Sequence, residues 1–570
     1  MTKLPPMSIG IGVDDFKKLI DKGSVYVDKT LLVKEFWEDG SEIVLTPRPR
    51  RFGKTLNLSM LKYFFERPSN PEEPTAYLFE KTNIWKDPKY QKLQGRYPVI
   101  SITLKDVKKR KWDDAYEQII ELLSKEVKRT LAPIYNSLDD EQKDRYNTLV
   151  KKTASNVEYC NSILFMTEVL EAHYKTKTIV LIDEYDTPIV AAYLNDYYID
   201  MVSFIRDLLS AALKTNPALN RAFLTGITRT AKEGIFSGLN NLAVCTVLST
   251  EYSDKFGFTD NEVDSLIVQY DLKEQQATIR SWYNGYNFGQ TQVYNPWSVL
   301  NCIKSSGDLK PYWANTSDNG LIKDLIVQAG NKVKDDMELL LAGNMLEDKE
   351  IEEGVALSDL ARNATSLWSI FLFTGYLTAV KRVFDGKKYL YTLAVPNEEI
   401  AILYQQLVTQ SINEAMISGE VTDLFKALIV GEVANVSILL QELIGNMCSS
   451  HDLPKKNLEL SVHMFILGLI SGLRNRYIVQ SNRESGDGRY DIMLKPRNHN
   501  DPGILLEVKK TESKAKAVLE AAADQALQQI KTHDYKKQLR DFGYKGKIIC
   551  YGIAACGKHI ALKMETIDAL

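Results

Sequence analysis

Residues 42–65 read EIVLTPRPRRFGKTLNLSMLKYFF. The first five residues are a short apolar, β-branched run that predicts a strand, and the apolar spacing after Gly53 predicts a helix. Gly53, Lys54 and Thr55 stand where that helix begins. The free amides of a helix N-terminus, a lysine ammonium and a threonine hydroxyl together suit a phosphate group and its Mg²⁺ ion. The stretch therefore predicts a strand, a phosphate-binding loop and a helix in succession.

Four more apolar runs follow this unit, with amphipathic helical patterns between them. The helical patterns cover residues 112–131 and 159–174, and the runs are PVISIT (98–103), TIVLID (178–183), RAFLTG (221–226) and AVCTVLS (243–249). Strands that alternate with helices are typical of an α/β domain with a largely parallel sheet. Such sheets bind ligands at the carboxyl ends of their strands.

In TIVLIDEYD (178–186), two adjacent acids, Asp183 and Glu184, follow the apolar run. Placed beside the phosphate-binding loop, Asp183 would hold Mg²⁺ and Glu184 would polarise an attacking water. The alternative is a buried strand that ends in solvated acids. Because the strand follows the Gly53-Lys54-Thr55 unit in the expected order, we interpret the two stretches as one site for ATP and Mg²⁺.

The loop itself departs from the usual phosphate-binding pattern. Arg48 stands at the position of the first glycine, and Pro49 has no amide hydrogen to offer to a phosphate. Arg50 and Arg51 either replace the lost donors with guanidinium contacts or form a surface patch next to the site. The pattern favours ATP binding over rapid hydrolysis.

A second set of charged residues lies near the C-terminus, in GRYDIML (488–494) and ILLEVKK (504–510). Side chains alternate along a strand, so Glu507 and Lys509 project on one side and Val508 on the other. Asp491 opens the partner run. These charges either serve chemistry or solvate the edge of a sheet. Neighbouring carboxylates repel each other unless a divalent cation lies between them, and their hard oxygen atoms suit Mg²⁺.

Size and composition limit the class of protein. A chain of 570 residues is too long for one core, and a net charge of −3 argues against a wholly basic nucleic-acid coat, although basic clusters occur at 48–51 and 105–111. We see neither a signal sequence nor a membrane-spanning run. The six cysteines show no zinc or disulfide spacing. We expect a cytoplasmic protein with reduced thiols and no membrane segment.

Between residues 260 and 400 the pattern becomes mostly helical, with aromatic-rich turns such as SWYNGYNFG (281–289). This segment predicts a helical lid or a winged-helix module. Its aromatic residues, among them Trp282, Tyr283, Trp297 and Trp313, favour a role in the core over ligand stacking. We find no cluster of acids and no nucleophile–base pair there, so we expect residues 260–450 to transmit nucleotide state.

The motifs at 13–30, 49–65, 181–189 and 225–242 resemble those of AAA-ATPase-like proteins that carry a PD-(D/E)xK nuclease domain at the C-terminus. In this sequence they read VDDFKKLIDKGSVYVDKT, PRRFGKTLNLSMLKYFF, LIDEYDTPI and TGITRTAKEGIFSGLNNL. The resemblance implies an AAA-like P-loop ATPase domain at 1–260, a helical or winged-helix-like connector at 261–450 and a restriction-endonuclease-like α/β domain at 451–570. It also implies that Thr228 and Arg229 sense the γ-phosphate.

The same resemblance assigns roles in the C-terminal domain. It implies that Asp491 and Glu507 bind Mg²⁺ with the Val508 carbonyl as a third ligand, and that Lys509 activates a water. It places an extra acidic metal ligand at Glu459. His463, four residues further along the same helix, is explained equally well as part of the site or as a helix-surface residue. It also suggests Gln529 and Tyr535, whose spacing of six residues makes a shared helical face doubtful.

Together these features predict an ATP-binding and ATP-hydrolysing enzyme with a Mg²⁺-dependent nuclease domain that cuts DNA under nucleotide control. The alternative is an ATP-driven regulatory or assembly switch whose nuclease-fold domain binds nucleic acid or a protein without cutting. The complete set of Asp491, Glu507 and Lys509 favours the enzyme, since a binding domain has no need of all three. The sequence leaves open whether the protein forms a homo-oligomer.

Overall fold

The computed structural model describes most of the chain. The described residues are 7–69, 72–227, 236, 241–313, 336–337, 339–341, 343–354, 364–404, 406, 420–449, 473, 475–484, 489–511, 513–532, 539–556 and 559–568.

The chain divides into two compact units. Unit 1 consists of Met1–Leu321 and Glu347–Glu399, and unit 2 consists of Ile322–Leu346 and Ile400–Leu570. The predicted middle domain, residues 261–450, is thus shared between the two units. The three-part division at 1–260, 261–450 and 451–570 stays a prediction.

The centre of unit 1 is a parallel sheet with strand order β2-β3-β4-β1-β5. Every residue of β1 and β3 is buried, as expected for a parallel sheet covered on both faces. The five predicted strands are confirmed, although the last is shorter than predicted. They are β1 Ile43–Pro47, β2 Val99–Thr103, β3 Thr178–Asp183, β4 Leu219–Gly226 and β5 Leu242–Val244.

The helices connecting these strands carry apolar stripes. The longest is α5, in which Ile119, Leu123 and Val127 are buried while Asp113 and Asp114 occupy the first turn. The ten helices described in this part are α1 Phe16–Asp21, α2 Leu31–Glu38, α3 Lys54–Phe65, α4 Pro88–Gln91, α5 Trp112–Leu131, α6 Asp140–Lys151, α7 Asn156–Cys160, α8 Ser162–Tyr174, α9 Thr187–Tyr193 and α10 Tyr198–Leu213. Short 3₁₀ turns cover Ala76–Leu78, Ile84–Lys86 and Ala132–Ser137.

The rest of unit 1 contains the expected helices and also two small sheets that the sequence did not predict. The helices are α11 Asp260–Gln269, α12 Gln276–Tyr283, α13 Pro296–Lys304 and α14 Ala364–Phe373, with a 3₁₀ turn at Lys273–Gln275. The sheets have the orders β6-β8-β7 and β10-β11-β9. Their strands are β6 Phe258–Thr259, β7 Tyr286–Phe288, β8 Thr291–Tyr294, β9 Leu346–Glu350, β10 Thr378–Phe384 and β11 Tyr389–Ala394.

Unit 2 is built on a five-stranded mixed sheet, ordered β12-β13-β14-β15-β16, in which only β14 and β15 run parallel. Its described helices are α15 Glu420–Val430, α16 Val433–Ser449 and α17 Lys516–Thr532. The strands are β12 Tyr477–Glu484, β13 Arg489–Pro496, β14 Gly503–Lys510, β15 Lys547–Cys556 and β16 His559–Asp568. Leu527 and Ile530 of α17 pack with Met493 and Leu505 of the sheet.

In the described part of the chain, every helix is too short or too polar to cross a bilayer. Five cysteines in the same part are free thiols, and four of them are buried. This agrees with the expected reduced thiols of the core.

Candidate functional sites

The predicted phosphate-binding loop connects β1 to α3 at the carboxyl edge of the parallel sheet. Gly53 is the N-cap of α3 and has a φ of 85°, a left-handed conformation that glycine adopts without strain. Arg51 has a φ of 69° and so adopts the same conformation at a cost. The loop is therefore held in a turn that carries Lys54 and Thr55 into the first turn of the helix.

Lys54 is almost completely buried at the centre of this loop. Its Nζ atom donates to the carbonyl oxygens of Arg48 and Pro49 at 3.0 and 3.1 Å. The same ammonium lies 3.2 Å from Oε1 of Glu184. The lysine thus joins the loop to the acid that follows β3.

Asp183 ends β3 and accepts hydrogen bonds from three threonines. Thr55 Oγ1 lies 2.8 Å from Oδ2, Thr225 Oγ1 lies 2.7 Å from Oδ1, and Thr103 Oγ1 lies 3.2 Å from Oδ2. Burial and the charge of Glu184 raise the pKa of Asp183, against the hydrogen bonds from Thr225 and Thr55. The structure thus brings together the hydroxyl and carboxylate predicted to hold Mg²⁺.

Glu184 follows Asp183 with a φ of 55°, which is unusual for a non-glycine residue. Thr187 Oγ1 donates to its Oε2 at 2.9 Å. Burial alone would raise the pKa of Glu184, but the Lys54 charge and the hydrogen bonds from Thr187 and Lys54 outweigh it and lower the pKa. The carboxylate is therefore kept ionised, as a residue that polarises water requires.

Arg48, which stands at the position of the usual glycine, is fully buried and hydrogen-bonds to backbone carbonyls around the loop. Its guanidinium donates to the carbonyls of Pro47 at 2.8 Å, Cys245 at 2.6 Å and Tyr252 at 3.3 Å. Burial lowers the pKa of Arg48 to about 10, which still leaves it charged at neutral pH. Because its two terminal nitrogens donate to backbone carbonyls, Arg48 stabilises the loop.

Arg50 and Arg51 both line the cavity described below. The Arg51 guanidinium lies 4.1 Å above the ring of Trp297, and burial lowers its pKa. The carbonyl of Arg50 accepts a hydrogen bond of 3.1 Å from Nε1 of Trp313. Trp297 is half-buried and borders the cavity, whereas Trp313 and Tyr283 belong to the core, as predicted.

A buried carboxylate connects Trp313 to helix α13. The backbone amide of Trp313 donates to Oε1 of Glu399 at 2.6 Å, and Ser298 Oγ donates to Oε2 at 2.7 Å. Burial raises the pKa of Glu399 to about 7. Neither Glu399 nor Thr225 was predicted from the sequence. A threonine at the carboxyl end of β4, next to β3, was a usable signal for Thr225, but no local pattern marks Glu399.

A cavity of about 420 Å³ adjoins the loop. Its lining includes Lys54, Thr55 and Glu184 and the basic side chains of Lys105, Lys108 and Lys255. Apolar side chains also line it, among them Val25, Val27, Phe258, Trp297 and Leu300. Polar and basic groups together with apolar ones in a volume of this size suit the triphosphate and the base of a nucleotide.

In unit 2, Asp491 of β13 lies directly opposite Glu507 of β14 in the antiparallel register. Glu507 and Val508 are buried, and Lys509 is half-buried two residues further along the same strand. Carboxylate oxygens are the ligands that Mg²⁺ prefers. The side chain of Glu507 is therefore of the right chemistry for the predicted metal.

An open cavity of about 430 Å³ connects Lys509 to helix α17. Gln529, predicted from the resemblance, lines it together with Asp524, Gln525 and Gln528, which the sequence analysis missed. The spacing of these residues on α17 was the available signal, since positions three and four apart share a helical face.

Several predicted residues lie outside the described part of the chain: Thr228, Arg229, Glu459, His463 and Tyr535. For Asp491 the structure describes the backbone alone. Among the described residues, no group of three or more His, Cys, Asp or Glu side chains could hold a metal ion.

Comparison with known proteins gives two family matches. Residues 10–236 match the model of a predicted AAA-ATPase family, and residues 457–565 match that of the PD-(D/E)XK nuclease superfamily. Among curated proteins, the chain is 26% identical over 549 residues to an uncharacterized protein in the vnfD 5′ region of Azotobacter chroococcum mcd 1, with 94% of each chain covered. No solved structure matches the chain significantly.

Proposed function

Because the chain carries a predicted AAA-ATPase domain followed by a PD-(D/E)XK nuclease superfamily domain, we propose that it binds and hydrolyses ATP and that its nucleotide state controls Mg²⁺-dependent cleavage of DNA. ATP binds in unit 1, and the phosphodiester bond is cut in unit 2.

For ATP, the proposal rests on Lys54 and Asp183, which are buried, and on Thr55 and Glu184, which are half-buried. The phosphates lie against the first turn of α3, and Lys54 exchanges the carbonyls of Arg48 and Pro49 for phosphate oxygens. Thr55 and Asp183 hold the Mg²⁺ ion, which neutralises phosphate charge when bound. Glu184, kept ionised, orients the attacking water.

For the nuclease, the proposal rests on Asp491 and Glu507 as metal ligands, with the Val508 carbonyl as a third. Lys509 lies on the same side of β14 as Glu507 and has space in front of it in the cavity of unit 2. Its role is to position or activate the water. The bound Mg²⁺ would supply an activated water and stabilise the leaving oxygen.

Nucleotide control needs a connection between the phosphate-binding loop and the remainder of the chain. Trp313 supplies this connection, because it donates hydrogen bonds to Arg50 in the loop and to Glu399. Glu399 is the last residue of unit 1 before the chain enters unit 2 at Ile400. A phosphate that displaces the loop carbonyls changes the position of Arg50 and so acts on this connection. The interpretation agrees with the expectation that residues 260–450 transmit nucleotide state.

The observation that carries the proposal is the register of β13 and β14, because it places Asp491 opposite Glu507 with Lys509 two residues away. The test is incubation of the purified protein with plasmid and single-stranded DNA, with and without Mg²⁺ and ATP. Cleavage that requires Mg²⁺ and changes with ATP supports the enzyme. DNA binding without cleavage under every nucleotide condition supports the switch instead.

A further inference from the structure

A β-hairpin of unit 1, formed by β10 and β11, belongs to neither of the proposed sites. In its register, Arg382 lies opposite Tyr391 and Phe384 lies opposite Tyr389. Asp385 closes the turn, where its Oδ1 accepts from the amides of Lys387 and Lys388 at 2.8 Å each. These hydrogen bonds lower the pKa of Asp385, so its ionised carboxylate stabilises the turn. The hairpin is therefore a well-defined element with an ordered tip.

Three side chains near this tip share one face of the hairpin and are called the hairpin platform: Arg382, Phe384 and Tyr389. Phe384 is 57% exposed and Tyr389 is 46% exposed. Their ring centroids are 5.1 Å apart, and the Arg382 guanidinium lies 3.6 Å from the centroid of the Tyr389 ring. Exposed aromatic rings with a guanidinium stacked on one of them form a surface that flat rings and negatively charged groups of a partner can contact.

Residues 378–394, which form the hairpin, carry four basic side chains and one acid, Asp385. Lys381, Arg382 and Lys387 have no ion-pair partner within the part of the chain that the structure describes, whereas Lys388 pairs with Glu350 of β9. The acids Glu347 and Asp348 belong to β9, which lies on the far side of β11 from β10. The unpaired basic residues therefore lie on β10 and at the tip, where a polyanion can contact them.

We propose that the hairpin platform is a binding site for single-stranded nucleic acid. Bases stack on Phe384 and Tyr389, and Arg382 and Lys387 contact the phosphates. Aromatic rings that carry bases, beside basic side chains that follow the backbone, are the chemistry by which proteins hold single strands without reading their sequence. The inference goes beyond the proposed function, because it concerns a surface distant in sequence from both sets of site residues.

The test measures binding of the full-length protein to a fluorescein-labelled oligothymidylate of about 20 nucleotides, long enough to cover a single-strand site. Anisotropy is read in EDTA, so that no cleavage occurs. Phe384→Ala and Tyr389→Ala should each weaken binding by about 5- to 100-fold, the usual effect of losing one stacked ring. Tyr389→Phe keeps the ring and should bind like the wild type.

The matched control is Ile199→Ala, which removes an apolar side chain that is 81% exposed on α10 of the same unit. It should leave binding unchanged. Melting temperatures should be equal for all variants, since these side chains are exposed and their loss leaves no cavity.

Mapping of crosslinks distinguishes binding at the hairpin platform from binding by unit 2. Ultraviolet crosslinking of a bromodeoxyuridine oligonucleotide, followed by mass spectrometry, should attach the strand to peptides within 378–394. Wild-type affinity in both alanine variants, or crosslinks confined to other segments, would overturn the proposal. Equal loss of duplex and single-strand binding would also overturn it, because base stacking requires unpaired bases.

Discussion

The Lys54 ammonium and the Glu184 carboxylate form an ion pair of 3.2 Å at the mouth of the phosphate-binding loop, with exposed side-chain fractions of only 3% and 18%. The lysine therefore has a negative partner before any nucleotide arrives. A phosphate must compete with Glu184 for the same ammonium, and each partner can be removed by mutation with a different result.

Removal of the ammonium should weaken ATP binding. Lys54→Ala takes away a charge-assisted contact, and we expect a loss of about 2 to 4 kcal/mol in binding free energy, measured by calorimetry with Mg²⁺-ATP. The control is Lys62→Ala, which changes a lysine in the last turn of the same helix, away from the loop. Equal ATP affinity for Lys54→Ala and the wild type would contradict the role of Lys54.

Removal of the negative charge from Glu184 should separate binding from hydrolysis. Glu184→Gln frees Lys54 for phosphate, so the affinity for ATP should stay the same or rise. ATP hydrolysis should slow by about 10²- to 10⁴-fold, the usual range for a general base. The control is Glu168→Gln, a change at an exposed carboxylate on α8. If binding and hydrolysis fell together, Glu184 would be a structural residue.

The buried Glu399 should make stability depend on pH. Its pKa is raised from 4.5 to about 7, so the folded protein prefers the protonated form. This contribution to the free energy of unfolding is fully present below pH 4.5 and is lost as the pH rises to about 7, amounting to about 3 kcal/mol at 1.36 kcal/mol per pKa unit.

Glu399→Gln removes the titration while keeping an acceptor for the amide of Trp313. Its stability should fall less than that of the wild type between pH 4.5 and 7, as measured by urea unfolding at each pH. Glu168→Gln serves again as the control and should follow the wild type. A Glu399→Gln curve parallel to the wild-type curve would show that the carboxyl does not titrate in this window.

The hydrogen bond from Trp313 to Arg50 should be needed for the response to ATP. Trp313→Phe keeps an aromatic ring in the core but loses the indole donor to the loop carbonyl. In limited proteolysis, ATP should change the cleavage pattern of residues 260–450 in the wild type and change it less in the variant, with ATP affinity nearly equal. Wild-type digestion patterns that are the same with and without ATP would contradict the proposal that residues 260–450 transmit nucleotide state.

The sequence predicted the parallel sheet well because its physical signals are local. Each strand is an apolar, β-branched run, and Gly53 stands where a left-handed turn is required. The order of the motifs along the chain then placed Lys54, Thr55 and Asp183 at one edge of the sheet. Side-chain alternation in the same way predicted Glu507 and Lys509 on one face of β14.

Other features depend on contacts between distant segments and gave no local signal. Arg48 donates to Cys245, 197 residues away, and Trp313 donates to Arg50, 263 residues away. The strands of the hairpin were missed for a different reason: most of β10 is exposed, so the apolar alternation that marks a half-buried strand is absent.

The measurement that most directly tests the central claim is Mg²⁺-dependent plasmid nicking by the wild type, Glu507→Gln and Lys509→Ala, each with and without ATP. Glu507→Gln keeps the size of a buried side chain and removes its charge, and Lys514→Ala is the control at an exposed lysine just after β14. Melting temperatures verify that all variants are folded.

We predict nicking by the wild type that requires Mg²⁺ and changes with ATP. Glu507→Gln should abolish it, and Lys509→Ala should reduce it by about 10²- to 10⁴-fold, while Lys514→Ala leaves it unchanged. Folded Glu507→Gln and Lys509→Ala proteins that nick as fast as the wild type, or a wild type that binds DNA but fails to nick it at every combination of Mg²⁺ and ATP, would contradict the account.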